Sequence, residues 1–150
     1  GYISIVEEIE NDGSIYKDKN VEVIAFKNDH GDFENSFGFL FITKDKRILF
    51  SGDTGVSDNL MNYGENLDIL VHEVYSSETF KNKTDDWQIY HNAHHTSSID
   101  LGIIANKLKP KKLVLSHILF WGATEESLLD DVKSNFDGNA IIAKDLMVIR

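Results

Sequence analysis

Apolar positions change their spacing part-way along the chain, from runs that suit strands to repeats that suit helices. In the first fifty residues, Ile3, Ile5 and Val6, then Val21 to Phe26, Phe37 to Thr43, and Ile48 to Phe50 read as strands. An Asp12-Gly13 turn and the polar hairpin Lys44-Asp45-Lys46-Arg47 separate them. From residue 57 onward helix and strand alternate. Ser57 caps a short helix that runs to about Tyr63 and stops at Gly64, and Asp68 to Val71 follows as a buried strand. Leu101, Ile104, Ala105 and Leu108 recur at helical spacing behind a cap at Ser97 or Ser98, in a helix that Pro110 ends. Lys112 to His117 is the next strand. Thr124 then caps a helix with Leu128, Leu129, Val132 and Phe136 on one face, Asp137-Gly138 turns it, and Ala140 to Ile149 is expected to supply two short strands.

A strand meander followed by helix–strand alternation predicts an α/β fold, a mixed sheet of about seven strands with helices on its outer face. Such a sheet leaves its inner face bare. A covering layer is therefore expected from sequence upstream of Gly1, and association through that face, including homo-oligomers, is expected where the layer is missing. No repeat, linker or low-complexity tract divides the chain.

Composition narrows the chemistry. The chain has no cysteine, so disulfides and thiolate-held zinc are excluded and any metal must be held by its six histidines and 25 acidic residues. A net charge of −10 repels polyanions and makes nucleic acid a disfavoured partner, although a local basic groove stays compatible with it. The longest apolar runs, 37–42 and 118–123, are far too short to span a bilayer, and no cationic start followed by an apolar stretch marks a signal peptide. No membrane partner is expected, and the expected compartment is the cytoplasm.

All six histidines fall inside five features, each at the end of a predicted strand or in the loop after it. The first is Asp29-His30-Gly31. The second is Ser51-Gly52-Asp53-Thr54-Gly55, where two glycines let the backbone turn and the carboxylate point back over the strand end. The third, His72-Glu73, ends a buried strand, an expensive place for two ionisable groups unless they are paired or used. In the fourth, His91, His94 and His95 cluster in a loop before a helix whose dipole disfavours a cation at its start, so His95 is expected to be neutral or held by a carboxylate such as Glu73. The fifth is His117, after the apolar run Leu113-Val114-Leu115. Each has an ordinary explanation alone: a surface loop histidine, an Asp-Gly turn, a structural pair, a solvated loop, a core histidine. Together they form a half-set of ligands for a His/carboxylate metal centre.

In this order, His30-Gly31 with Phe37-Gly38-Phe39, Ser51-Gly52-Asp53-Thr54, Leu70-Val71-His72-Glu73, His95-Thr96-Ser97 and Leu115-Ser116-His117 resemble the ribonuclease Z branch of the metallo-β-lactamase superfamily. Two stretches, Tyr90 to Gly102 and Ile118 to Thr124, look most like its arylsulfatase-like metallo-hydrolases. The resemblance covers essentially the whole chain and implies the C-terminal half of an αββα sandwich. It makes His30, Asp53 and His117 metal ligands, with Asp53 bridging two cations, two Zn²⁺ per complete domain or Mn or Fe in their place. It makes His95, steadied by Glu73, the group that stabilises charge or protonates the leaving group, and sets His72 behind the ligands; His91 and His94 receive no role. The family's His-x-His-x-Asp-His motif occurs nowhere in the sequence and is expected upstream of Gly1. The activity implied is hydrolysis of a phosphate, sulfate or related small ester by metal-activated water, absent from the chain alone. The alternatives are a ribonuclease Z-like endonuclease acting on tRNA 3′ ends and a catalytically inert binding domain of the same fold.

Overall fold

A computed structural model describes residues 5–149. Within them seven strands form one sheet whose spatial order follows the sequence: β1 (Gly13–Lys17), β2 (Val21–Lys27), β3 (Phe37–Thr43), β4 (Arg47–Phe50), β5 (Ile69–Tyr75), β6 (Lys112–Leu119) and β7 (Ala140–Ile142). The pairs from β1 to β4 are antiparallel and those from β4 to β7 parallel. The switch explains the change in apolar spacing, because antiparallel neighbours join by short turns whereas parallel ones need crossovers. Those crossovers are α1 (Asp58–Tyr63) before β5, α2 (Ser77–Phe80), α3 (Asp85–His94) and α4 (Ser98–Leu108) before β6, and α5 (Glu125–Lys133) before β7.

Register gives the sheet two unlike faces. Ile24, Leu40, Leu49, Leu70, Leu113 and Ala140 pair across the strands in one row. They pack with Leu60, Leu101, Ile104, Leu128, Val132 and Phe136 from the helical side. Neighbouring residues on a strand point oppositely, so Ala25, Phe39, Phe50, Val71, Val114 and Ile141 form a second paired row on the other face. None of that row joins the helix-side cluster, and Phe50 is 41% exposed. The predicted α/β architecture with helices on one face is the architecture found.

Several boundaries differ from the sequence-based expectation. Ile5 and Val6 lie outside any strand and are exposed, Ile3 falls outside the described residues, and β1 begins where a turn alone was expected. β5 continues to Tyr75 because β6 pairs along it, so His72 and Glu73 stand inside a strand and not at its end. The loop expected around His91, His94 and His95 is helical up to His94, in α3, with the short helix α2 before it. Only one strand, β7, forms after residue 139 among the described residues. No helix among them is long and apolar enough to cross a membrane.

Candidate active site

The carboxyl ends of β2, β4 and β6 lie on one edge of the sheet, and each delivers one candidate ligand there. After β4 the chain turns at Gly52, whose φ of +65° and whose missing Cβ, which would stand 2.6 Å from the Phe37 carbonyl oxygen, both require glycine. Buried Asn28 ties the turn down, its side-chain amide donating to the carbonyls of Ser51 (2.7 Å) and Asp53 (3.2 Å). His117 lies within β6 as an unmatched residue: Glu73 pairs with Ser116 and Val74 with Ile118, which leaves it a bulge with φ +41°. That bulge brings His117 Nε2 to 3.2 Å from Asp53 Oδ2, both side chains about half exposed. A hollow of about 190 Å³ beside them is lined by Phe37, Asp53, Glu73 and His117 among others.

His30 joins the group from the loop after β2. Its Nδ1–H donates to the His94 carbonyl at 2.8 Å, which fixes the tautomer and leaves Nε2 as the lone-pair nitrogen. Its ring centroid lies 5.4 Å from that of His95, which in turn lies 5.9 Å from that of His117. His30, Asp53, His95 and His117 thus stand together, although they come from four separate stretches of chain.

Glu73 approaches from below. It is 2% exposed, and burial pushes its carboxyl above the ordinary range against the opposing pull of His95 and the Thr96 amide. Oε1 accepts from Thr96 N at 2.7 Å. Oε2 and His95 Nδ1 lie 3.4 Å apart, within ion-pair range but too poorly aligned for a hydrogen bond, and neither atom has another partner among the described residues. His95 itself is the C-cap of α3 and stands two residues before the N-cap of α4, so its expected place in a loop is corrected to a helix end.

Of the remaining histidines, His94 and His91 flank the cluster, with ring centroids 5.1 Å from that of His30 and 5.6 Å from that of His95, and His72 lies on the other face. His72 points to the helix side, fully buried, with Nδ1–H donating to its neighbour Glu73's carbonyl at 2.7 Å; burial drags its pKa to about 4, so it is neutral. His94 donates to the Tyr90 carbonyl at 2.7 Å and supports His30 through its own carbonyl. His91 is 8% exposed with Nδ1 unpartnered, and burial, followed by nearby His95 and Lys83, lowers its pKa. Sequence reasoning missed Asn28, whose only sign was an amide at the strand end directly before Asp29-His30.

Among the described residues no three His, Asp or Glu side chains by themselves enclose a cation. Two donors on one tetrahedral Zn²⁺ at about 2.0–2.2 Å would sit roughly 3.3–3.5 Å from each other. The His117–Asp53 separation of 3.2 Å is close to that edge, and the His30 tautomer leaves a ligating nitrogen, so the residues present fit part of a His/carboxylate centre.

Comparison with known proteins agrees with this fold. Ribonuclease Z from Bacillus velezensis is 34% identical over 142 residues, 91% of this chain and 43% of that protein. The metallo-β-lactamase fold protein YhfI from Bacillus subtilis superposes with a TM-score of 0.73 at 20% identity, over 91% of this chain and 52% of the other. The chain belongs to the metallo-β-lactamase superfamily. Within the superfamily it is ribonuclease Z-like, and the human tRNase Z short form shares the fold with a TM-score of 0.64 at 22% identity, over 93% of this chain and 47% of that one. No protein-family model matches the chain. The chain spans less than half the length of the ribonuclease Z relatives it matches.

Proposed function

We propose that this chain supplies half of a two-metal active site that hydrolyses a phosphate, sulfate or related ester. The observation that carries the proposal is the contact of Asp53 with His117 at 3.2 Å, with the rings of His30 and His95 alongside. His30, Asp53 and His117 would hold the metals, with Asp53 shared between them. When bound, the metals lower the pKa of water and neutralise charge that develops on the ester oxygens. The other ligands would come from the part of the relatives that this chain does not span.

His95 carries the proton in this reading. Its Nδ1 faces Glu73, which leaves Nε2 to serve the substrate, and the buried carboxylate steadies the ring when it is charged. Water oxygen bonds to the central phosphorus or sulfur, the bond from that atom to the leaving oxygen breaks, and His95 gives its proton to that oxygen. The proton released by the water restores His95. Atoms and charge then balance as one ester plus water giving an acid and an alcohol.

A second reading, endonucleolytic cleavage of RNA, is favoured by the relatives' name, ribonuclease Z. The net charge of −10 favours a small ester, because a chain of net negative charge repels a polyanion. The test uses the longest polypeptide encoded with this chain, assayed for metal content and for hydrolysis of a phosphodiester, an aryl sulfate and a tRNA precursor. Turnover of the small esters, with Asp53→Ala losing both metals while His30→Ala or His117→Ala weakens one more than the other, is the expected result. Two tightly bound metals on the isolated 150-residue chain, or turnover by it, would overturn the half-site; turnover of the tRNA precursor alone would select the second reading.

A further inference from the structure

β5 outruns one of its neighbours. β4 stops at Phe50, opposite Val71, while β5 continues to Tyr75, so the amides on that side of β5 need other acceptors. That of Glu73 donates to Ser51 Oγ at 3.2 Å, and that of Tyr75 donates to the Thr96 carbonyl at 2.9 Å. Thr96 and Ser97 thus take the place that β4 vacates, with Ser97 bridged in parallel to Tyr75. Thr96 is wholly buried, and its other polar groups are engaged as well. Its amide donates to Glu73 Oε1 at 2.7 Å, and its hydroxyl donates to the Thr54 carbonyl at 2.7 Å. Thr54, also wholly buried, carries the connection on: its Oγ1 accepts from the Asp29 amide at 3.2 Å, and Gly55 N donates to the Asp29 carbonyl at 2.7 Å. Each partner stands beside a candidate group. Thr96 follows His95, Thr54 follows Asp53, Asp29 precedes His30, and Glu73 is one itself.

We propose that Thr96 is the positioning residue of the candidate site, joining the Glu73–His95 pair to the turn that carries Asp53 and, through Thr54, to the loop that carries His30. This deepens the hydrolase reading and rests on it for what the held groups do, not for the bonds that hold them. His95 is stretched between two anchors: its amide donates to the His91 carbonyl at 2.8 Å at the end of α3, and the residue after it is fixed to β5. Its extended backbone, φ −138° and ψ 161°, leaves the ring only its own side-chain rotations. The Thr96 hydroxyl then sets how that ring stands to Asp53, across 42 residues of sequence. A proton donor and a metal bridge acting on one ester need that spacing held, because a displacement of about 1 Å costs about 100-fold in rate. Valine would match the shape of threonine but strip the Thr54 carbonyl of this donor, whereas serine keeps it.

The test compares Thr96→Val, or Thr96→Ala where valine does not fold, with Thr96→Ser in the longest polypeptide encoded with this chain. Thr79→Val is the control, since it removes a bond of the same kind, from Thr79 Oγ1 to the Phe120 carbonyl at 3.0 Å, outside the cluster. Hydrogen exchange reads the tie without turnover: loss of the Thr96 hydroxyl should speed exchange in 28–31 and 51–55 by about 10-fold while β6 and β7 keep their protection. Chelator competition should show Zn²⁺ held about 10-fold more weakly, because Asp53 sits on the loosened turn. On a small ester, kcat should fall about 10-fold or more with KM within about 3-fold, and Thr96→Ser should recover most of each loss. Exchange that speeds equally across the whole sheet, serine no better than valine, or an equal loss of kcat in Thr79→Val overturns the proposal. Faster local exchange and weaker Zn²⁺ binding in a protein that hydrolyses no ester would instead retain Thr96 as the positioning residue of a metal site and overturn the hydrolase reading.

Discussion

His72 and Glu73 are neighbours on one strand, yet they meet opposite faces of the sheet and opposite fates. His72 turns to the helix side, where Leu70, Leu113 and Leu115 are wholly buried, and it is held neutral and outside the chemistry. Glu73 turns to the side of Phe50 and Val71, away from the helix-packed core, and it meets His95 and the cluster around Asp53 and His117. The two faces divide the labour: one supplies stability through packed Leu and Val, the other leaves part of an apolar row, Phe50 above all, open to water. Ionisable groups that share the first face are silenced by it. Glu73, buried on the second face, lies instead beside His95 and within the proposed site.

The largest effect expected from this division is on the helix side. Leu113→Ala removes a fully buried side chain from the middle of the row, so its cost should be about 3–5 kcal/mol, the usual range for an unrelaxed cavity. Urea denaturation of the chain checks it. A cost below about 1 kcal/mol would mean that the helices do not form a closed core with the sheet.

The next effect is on pH dependence and separates the two faces by sign. His72 has a folded pKa of about 4 against 6.5 in an open chain, so between those values the unfolded state takes up a proton that the folded state refuses. Its contribution is complete above about pH 6.5 and is lost as pH falls toward 4, on the order of 3 kcal/mol. Glu73 is raised by burial, so its effect runs the other way: stability is fullest below its unfolded value and declines as pH rises. Unfolding free energy measured from pH 7 to 4 should fall, and His72→Leu should flatten that slope whatever its stability at neutral pH. A slope unchanged in His72→Leu would place the acid sensitivity elsewhere.

What could be read in the sequence follows from the same contrast. The helix-side elements were legible, because a buried stripe against a solvated face is a periodic signal: α1, α4 and α5 begin at Ser57, Ser97 and Thr124 as their caps predict. α3 was not, because Trp87, Ile89 and Tyr90 face outward and His91 and His94 inward, so polarity points the wrong way. Its one usable sign was Thr84 before Asp85-Asp86, a capping residue with acids in the first turn. β5 was cut short at His72 because ionisable residues look like a strand's end, and pairing with β6 alone carries it to Tyr75. His30, Asp53, Glu73, His95 and His117 were picked out by residue type at predicted strand ends; the contacts that draw them together, above all the bulge at His117, depend on register between β5 and β6 and have no local sequence signature.

The smallest effect sharpens the comparison most. Phe50 sits in the open row, 41% exposed, with Phe41 edge-on at 5.6 Å as its ring neighbour. Phe50→Ser in the 150-residue chain removes surface that water already reaches and one edge-to-face contact, so the change in unfolding free energy should stay within about 1 kcal/mol. In the longest polypeptide encoded with this chain, any layer packed over the row would bury the same ring, and the same substitution would then cost about 3 kcal/mol or more. The ratio between the two measurements tests whether the face is a surface or half of an interior. Equal small effects in both lengths of chain would show that nothing covers the row, and the proposed half-site of Asp53, His117 and His30 would then need its remaining ligands from another source.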